Sequence, residues 1–224
     1  MYKGIIFDLD GTLVDSLDDL TVSLNTALAE AGLPTRNRDE VRLMIGNGMT
    51  VLVKRALEGQ DVDEKETARI KAVLEAHYAL HSLDKTRPYK GIDELIVFLK
   101  REGLKLGVLS NKPDDFATSI VAALFPAGPF ALVRGQLPGV PTKPDPQAAL
   151  EMIRGWGLAP KEVAIVGDSA VDIETGRNAG CDSLGAGWGF RGRGELEAAG
   201  ATAVLESPLE IADWLATAGR TKMS

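Results

Sequence analysis

The segment FDLDGTLVDS, residues 7–16, constrains the fold of this chain more than any other part of the sequence. Residues 4–9 read GIIFDL, a short apolar run that includes the acid Asp8 and is followed by Asp10 and Gly11. A short apolar run that ends at a turn residue predicts a buried strand and then a turn. Two carboxylates therefore stand at the carboxyl end of the first predicted strand.

The stretch that follows this strand carries helical signals and no strand signal. Apolar residues recur at helical spacing, and Gly46-Asn47-Gly48 separates two of the segments with this pattern. Four helices are predicted in this stretch, at residues 16–31, 39–45, 49–58 and 63–83. We therefore interpret residues 16–85 as an all-helical insert.

The pattern changes after residue 85, where apolar runs alternate with helical segments. Strands are predicted at residues 104–109, 163–166, 181–186 and 201–205, and helices at 93–101 and 146–156. Strands that alternate with helices of roughly 10–15 residues indicate parallel βαβ units. The expected fold is a doubly wound, Rossmann-like α/β core of residues 1–15 and 86–224, with residues 16–85 as an inserted helical cap domain.

Polar side chains stand at the carboxyl ends of the predicted strands, where open parallel sheets bind their ligands. They are the acids Asp8, Asp10, Asp168 and Asp172, together with Ser110-Asn111-Lys112 and Lys143. Two like charges about 4 Å apart repel by roughly 4 kcal/mol at an effective dielectric of about 20. Mg²⁺ relieves such repulsion, and it is commonly held by one or two carboxylates together with substrate phosphate. A lysine and a hydroxyl then remain to bind an anion, so the set predicts phosphoryl transfer with Mg²⁺ as cofactor.

Four short motifs in this order resemble the motifs of the haloacid dehalogenase superfamily. They are DLDGT (8–12), SN (110–111), KP (143–144) and GDSAVD (167–172). The helical insert resembles the small α-helical cap of that superfamily. Further segments resemble phosphoglycolate phosphatases within it, namely DSLDDL (15–20), IGNGM (45–49), SNKP (110–113), KPDP (143–146), GRNAG (176–180) and WGFRG (188–192).

The resemblance implies roles for three catalytic residues. Asp8 would attack phosphorus and form an aspartyl-phosphate, which is covalent catalysis by a carboxylate. Asp10 would protonate the leaving oxygen and then take a proton from the attacking water. Lys143 would neutralise charge on the phosphate and on the nucleophile.

The resemblance also implies a metal site and a phosphate site. Asp8, the backbone carbonyl of Asp10, and Asp168 would bind Mg²⁺, and Asp172 would steady the metal directly or through water. The phosphate-binding residues would be Thr12, Ser110, Asn111 and Lys143, with Thr12 also supporting its loop and orienting Asp10.

Substrate specificity is expected to lie in the helical insert. Gly46 and Gly48 would form a loop that closes over the site, because glycine allows tight turns and close backbone approach. Arg42, Lys54 and Arg55 lie on or beside the neighbouring predicted helices, and any of them could meet a substrate carboxylate. The alternative for each cation is an ordinary solvated helix face.

The leading functional hypothesis is Mg²⁺-dependent hydrolysis of a small phosphate monoester, with 2-phosphoglycolate as the first choice of substrate. The alternatives are a phosphatase for a sugar phosphate, a nucleotide or pyrophosphate, and a phosphotransferase of the β-phosphoglucomutase type. The presence of Asp10 argues against a haloacid dehalogenase. The intact acidic motifs argue against a non-catalytic scaffold relative.

Charge and composition limit the partners. The formal net charge of −7 disfavours binding to nucleic acid or anionic lipid, and no apolar stretch approaches the roughly 20 residues of a membrane span. Cys181 is the single cysteine, expected to be a buried packing residue in a reducing compartment. We expect a cytoplasmic monomer or homodimer that acts on a small phosphorylated metabolite.

Overall fold

A computed structural model describes residues 1–221 of the chain, with side chains described through residue 217. Six parallel strands form one sheet in the order β5-β4-β1-β6-β7-β8, and β2 and β3 form a separate antiparallel pair. The strands are β1 (Gly4–Phe7), β2 (Val14–Asp15), β3 (Arg87–Pro88), β4 (Lys105–Pro113), β5 (Leu132–Gln136), β6 (Val163–Gly167), β7 (Asp182–Ala186) and β8 (Ala203–Leu205).

Ten α-helices accompany these strands within the described residues. They are α1 (Leu17–Glu30), α2 (Arg38–Met44), α3 (Met49–Ala56), α4 (Glu64–His81), α5 (Ile92–Arg101), α6 (Asp114–Leu124), α7 (Gln147–Gly155), α8 (Ala170–Ala179), α9 (Arg193–Ala198) and α10 (Glu210–Thr221). None of the helices in this described part is both long and apolar enough to cross a membrane. The doubly wound α/β fold expected from the sequence is confirmed.

The register of β1 explains why distant polar residues meet at one edge. Phe7 pairs with Val108 of β4 on one side and with Val166 of β6 on the other. The three strands therefore end at the same height in the sheet, and the residues that follow them lie at the same edge. Asp8 continues this arrangement, because its backbone N–H donates to Val166 O at 2.8 Å.

The chain leaves the sheet after β1 and returns to it through the β2–β3 pair, in which Val14 lies opposite Pro88. Asp19, at the start of α1, fixes this junction. Its buried carboxylate accepts hydrogen bonds from the backbone N–H of Lys85 and from both the N–H and the hydroxyl of Thr86, at 2.7–3.0 Å. Helices α1–α4 lie between these points, and the division of the chain into core and cap domains stays a prediction.

The structure contains elements that the sequence did not predict, among them the β2–β3 pair and α6, and further details differ from the prediction. Strand β5 was not expected, because its sequence LVRGQ is half-exposed and mixes apolar with polar residues. Strand β4 continues to Pro113 instead of ending at Leu109, with a register shift against β5. Cys181 is only partly buried, packed against the apolar cluster on one face of the sheet, and burial raises the pKa of its thiol to about 12.

Candidate active site

Three carboxylates meet at the carboxyl ends of β1 and β6. Asp8 follows β1, Asp168 follows β6, and Asp172 lies in the first turn of α8. One oxygen from each lies within 4.8 Å of the other two, and all three side chains are buried. The position of Asp172 is fixed by Ser169, whose hydroxyl and backbone N–H donate to Asp172 Oδ2 at 2.7 and 3.2 Å.

Lys143 supplies a positive charge to this cluster from the loop before α7. Its Nζ lies 2.8 Å from Asp8 Oδ1 and 2.6 Å from Asp172 Oδ1. Burial opposes the ammonium charge, but Asp172 and Asp8 outweigh it and raise the pKa of Lys143. The Asn111 side chain holds the lysine backbone, since Oδ1 accepts from Lys143 N at 2.9 Å and Nδ2 donates to Lys143 O at 3.1 Å.

The cluster carries more negative charge than Lys143 can balance. Burial raises the pKa of Asp8 to about 7 even though Lys143 opposes this shift. Burial, and then Asp172 and Asp8, raise the pKa of Asp168 well above its usual value. Asp8 Oδ1 is buried, and its contact with Lys143 Nζ at 2.8 Å leaves it exposed to the repulsion of the neighbouring acids. An all-oxygen, anionic and close-set group of donors fits a hard divalent cation.

Asp10 has two polar partners. Ser16 Oγ donates to Asp10 Oδ1 at 2.5 Å, and Lys112 Nζ lies 2.8 Å from Asp10 Oδ2 and 3.0 Å from Oδ1. Sequence reasoning gave no role to Ser16 or Lys112. Lys112 directly follows Ser110-Asn111 at the end of a predicted strand. This position was the sequence signal that could have indicated a role for Lys112 in the site.

The strand ends and the helical segment enclose a pocket. Its interior is small, about 30 Å³ for the centres of water-sized spheres. The sheet contributes polar groups, and helices α1 and α3 with the turn between α2 and α3 contribute apolar ones and two glycines. The lining residues are Asp8, Asp10, Ser110, Asn111 and Lys112 from the core and Leu20, Ile45, Gly46, Gly48, Met49 and Leu52 from the helical side.

The turn between α2 and α3 lies directly on the strand ends. Asn111 Nδ2 donates to Gly46 O at 3.1 Å. A Cβ on Gly48 would stand 2.9 Å from Asn111 O, and its φ of +83° lies in the left-handed region. Glycine is therefore required at position 48 for this closed arrangement.

This fold and site can be compared with known proteins. Residues 5–186 match the family model of the haloacid dehalogenase-like hydrolases. The chain belongs to this family. A phosphoglycolate phosphatase from Mannheimia succiniciproducens is 36% identical over 84% of this chain and 87% of its own length. One from Rhodospirillum rubrum is 35% identical over 96% of this chain and 91% of its own length.

A solved structure agrees with this assignment. The crystal structure of a predicted phosphoglycolate phosphatase from Haemophilus somnus is 31% identical to this hydrolase, with a TM-score of 0.89 over 96% of this chain and 98% of the other. The family predicted from the four motifs is confirmed. The predicted enzyme class, a phosphoric monoester hydrolase, is confirmed by the family and these relatives.

The three cations offered as candidates for a substrate carboxylate do not line the pocket of this hydrolase. Arg42 donates to Phe190 O, and Arg55 donates to Met44 O at 2.8 Å and to Asn47 Oδ1 at 2.9 Å. Lys54 is exposed on α3. None of the three is among the residues that line the pocket. Helical spacing located these residues near the pocket, but it could not give the direction of their side chains.

Thr12 also differs from expectation. It is fully buried, but Asp10 is held by Ser16 and Lys112 and not by Thr12. Thr12 Oγ1 makes no hydrogen bond with the residues that the structure describes. Its backbone carbonyl accepts from Trp188 Nε1 at 3.0 Å, so the residue connects its loop to the loop after β7.

The loop after β7 closes the site from the side, a role that the sequence did not reveal. Phe190 N donates to Asp168 Oδ2 at 2.8 Å. Arg191 reaches the helical segment, where its guanidinium donates to Leu43 O and Ile45 O, each at 2.8 Å. The WGFRG segment resembles the phosphoglycolate phosphatases in sequence, but the sequence does not indicate which residues it contacts in the fold.

Proposed function

We propose that this hydrolase catalyses Mg²⁺-dependent hydrolysis of a small phosphate monoester through an aspartyl-phosphate, with 2-phosphoglycolate as the preferred substrate. One observation carries the proposal. The buried cluster of Asp8, Asp168, Asp172 and Lys143 adjoins a pocket that also contains Asp10 and Ser110. A nucleophile, an acid and groups that bind phosphate and metal therefore share one small space.

In the proposed reaction, a carboxylate oxygen of Asp8 attacks phosphorus and the bond to the ester oxygen breaks. Asp10, which must be protonated at this step, gives its proton to that leaving oxygen. A water molecule then loses a proton to Asp10 and attacks the phosphorus of the aspartyl-phosphate, which returns Asp8 to its carboxylate form and releases phosphate. Ser110 and Asn111 hold the transferring group, and the Lys143 ammonium offsets its negative charge.

The proposed metal ligands are the side chains of Asp8 and Asp168 and the backbone carbonyl of Asp10. Asp172 would act on the metal indirectly, because its two oxygens already contact Lys143 and Ser169. When bound, Mg²⁺ supplies positive charge that keeps the Asp8 carboxylate ionised and stabilises charge on the phosphate oxygens.

Two observations support a small substrate such as 2-phosphoglycolate. Relatives at about 35% identity over most of their length carry the name phosphoglycolate phosphatase. The turn at Gly46–Gly48 contacts Asn111 and lines the pocket, whose interior is small.

A panel assay tests the substrate. Phosphate release is measured with 2-phosphoglycolate, a hexose 1-phosphate, a nucleotide and pyrophosphate, in Mg²⁺ and after addition of EDTA. We expect the highest kcat/KM with 2-phosphoglycolate and no turnover in EDTA. If 2-phosphoglycolate is among the poorest substrates, the substrate choice is wrong, and isomerisation of the hexose phosphate without release would identify a mutase.

The Asp8→Asn variant tests the mechanism. Removing the nucleophile should lower kcat by about 10⁴-fold or more, and acid quenching should trap labelled phosphate on wild-type protein only. Glu102→Gln, on an exposed residue just beyond α5, is the control and should match wild type. Intact Mg²⁺-dependent activity in Asp8→Asn would exclude the covalent route.

We further infer a cytoplasmic enzyme that acts on a soluble metabolite, since the single cysteine is half-buried and has no partner thiol in the sequence. The expectation of a monomer or homodimer stays a prediction, which sedimentation velocity would test.

A further inference from the structure

A phosphate ester that also carries a carboxylate needs a second positive charge in the pocket besides the one that meets the phosphate. The helical side of the pocket does not supply it, because its side chains are apolar and Arg42, Lys54 and Arg55 are not among the lining residues. The core side contains two buried ammonium groups, on Lys112 and Lys143.

Lys143 is committed to the phosphate end of the site. Its ammonium contacts Asp8 and Asp172 at once, at 2.8 and 2.6 Å. Asp8 is the residue that would meet phosphorus. A substrate carboxylate beside Lys143 would lie among the acids of the metal cluster, which would repel it.

Lys112 stands at the other end, beside the leaving group. Its side chain is 2% exposed and lines the pocket. Burial opposes the ammonium charge, yet Asp10 more than compensates and raises the pKa of Lys112. An ammonium has three N–H donors. The two oxygens of Asp10 take at most two, and Tyr78 also stabilises the ammonium, so a substrate group would share this cation with both residues. The Tyr78 ring of α4 covers it, with Nζ 4.6 Å from the ring centroid.

We propose that Lys112 is a specificity-determining residue, which selects substrates with an acidic group close to the ester oxygen by donating a hydrogen bond to that group. The proposal rests on the phosphatase function argued above. In this proposal the substrate carboxylate is bound by a core residue and not by the cations of the helical segment.

The distances suit a two-carbon acid. Asp10 must come within about 3 Å of the leaving oxygen to protonate it, and Lys112 Nζ lies 2.8 Å from Asp10 Oδ2. The ammonium is therefore within roughly 6 Å of the leaving oxygen. In 2-phosphoglycolate the carboxylate oxygens lie about 3 Å from the ester oxygen, so one further hydrogen bond of about 3 Å reaches the lysine.

A purely structural role, in which Lys112 only holds Asp10, makes a different prediction. It would affect every substrate equally, whereas a role in specificity changes the preference between substrates. The informative quantity is the ratio of kcat/KM for 2-phosphoglycolate to kcat/KM for 2-hydroxyethyl phosphate, which has a hydroxymethyl group in place of the carboxylate.

The experiment measures this ratio in wild type, Lys112→Met, Lys112→Arg and the control Lys54→Met, with the full chain in Mg²⁺. We expect wild type to prefer 2-phosphoglycolate by about 100-fold. The ratio should fall at least tenfold in Lys112→Met and stay within threefold of wild type in Lys54→Met. Lys112→Arg keeps the charge and should retain most of the preference. Residual turnover of 2-hydroxyethyl phosphate by Lys112→Met shows that the variant is folded, and if it has none, Lys112→Arg and Lys112→Gln are compared instead.

The outcomes separate this inference from the function on which it depends. If wild type hydrolyses neither ester, the proposed phosphatase function for small monoesters fails. If both esters are hydrolysed but the ratio is near one in wild type, or is unchanged in the Lys112 variants, the function stands and the specificity role of Lys112 is wrong. A loss of the ratio in Lys54→Met would return the carboxylate contact to the helical segment.

Discussion

The two sides of the pocket differ in how their residues are held. On the sheet side, charged groups are buried and paired with one another, as in the contacts of Lys143 with Asp8 and Asp172. On the helical side, Leu20, Met49 and their neighbours present apolar surface, and the cations hold backbone carbonyls outside the pocket. A change on the sheet side therefore alters the reaction itself, whereas a change on the helical side alters the closure and the fit of the substrate.

After loss of the nucleophile itself, the largest effect is expected on the sheet side, from Lys143→Met. The variant leaves Asp8 and Asp172 without their shared cation, so kcat/KM should fall by about 10³-fold, as for loss of a preorganised charge-stabilising donor. Removing one partner of a buried ion pair should also cost about 3–5 kcal/mol in the free energy of unfolding. Steady-state kinetics and urea unfolding measure both quantities.

Lys100→Met is the matched control, because Lys100 is exposed in the last turn of α5. It should change neither quantity. If kcat/KM of Lys143→Met lies within tenfold of wild type, the proposed difference between the two sides of the pocket is wrong, since the acidic cluster then functions without its lysine.

A smaller effect is expected at the contact between the two sides, from Gly48→Ala. The added Cβ would stand 2.9 Å from Asn111 O and the backbone would remain at positive φ, so the turn must move away from the strand ends. We expect kcat/KM to fall about 10–100-fold, mostly through KM, because misplacement by about 1 Å can cost ~10²-fold.

Gly32→Ala separates strain from closure. Gly32 also has a positive φ, of +68°, but a Cβ there would meet nothing within 4 Å. It should lose about 1–2 kcal/mol of stability and keep wild-type kinetics. If both alanine variants show the same kinetics, close contact at Gly48 is not what shapes the pocket.

The smallest effect is expected on the helical side, from Arg55→Met. This variant loses the hydrogen bonds to Met44 O and Asn47 Oδ1 that hold the turn at Gly46–Gly48. Such bonds contribute about 0.5–1.5 kcal/mol each, so KM should rise about 3–10-fold with kcat within twofold of wild type. A fall in kcat equal to that of Lys143→Met would contradict the division of roles, and Lys54→Met on the adjacent exposed residue serves as the reference.

The sheet side was largely predictable from the sequence, for a physical reason. Parallel strands bring their carboxyl ends to one edge of the sheet, so recognising the strands placed Asp8 and Asp168 at the same edge. The pairing of β1 with β6, which the sequence did not give, makes them neighbours. The helical side was less predictable, because helical spacing gives a face but not the neighbour that a long side chain finds. Arg42 and Arg55 illustrate this, since each reaches a backbone carbonyl that only the tertiary fold brings near.

Other contacts left no periodic signal at all. Asp19 lies in a run of acids that reads as a solvated helix start, yet it is buried and binds Lys85 and Thr86 about sixty-five residues later in the chain. Strand β5 has a half-exposed, mixed pattern, LVRGQ, which does not by itself indicate a strand. Long-range pairing determines both features, and a local pattern does not record it.

The hydrogen bonds from Arg191 to the backbone of Leu43 and Ile45 have a consequence for which substitutions the pocket tolerates. The guanidinium donates to main-chain oxygens, which every amino acid carries. These hydrogen bonds therefore do not depend on the side chains at those two positions. Substitutions at these positions, including Ile45 in the pocket wall, can change the shape of the pocket while the hydrogen bonds from Arg191 remain. A side-chain change at Ile45 would therefore alter the pocket wall without removing the contact between Arg191 and the helical segment.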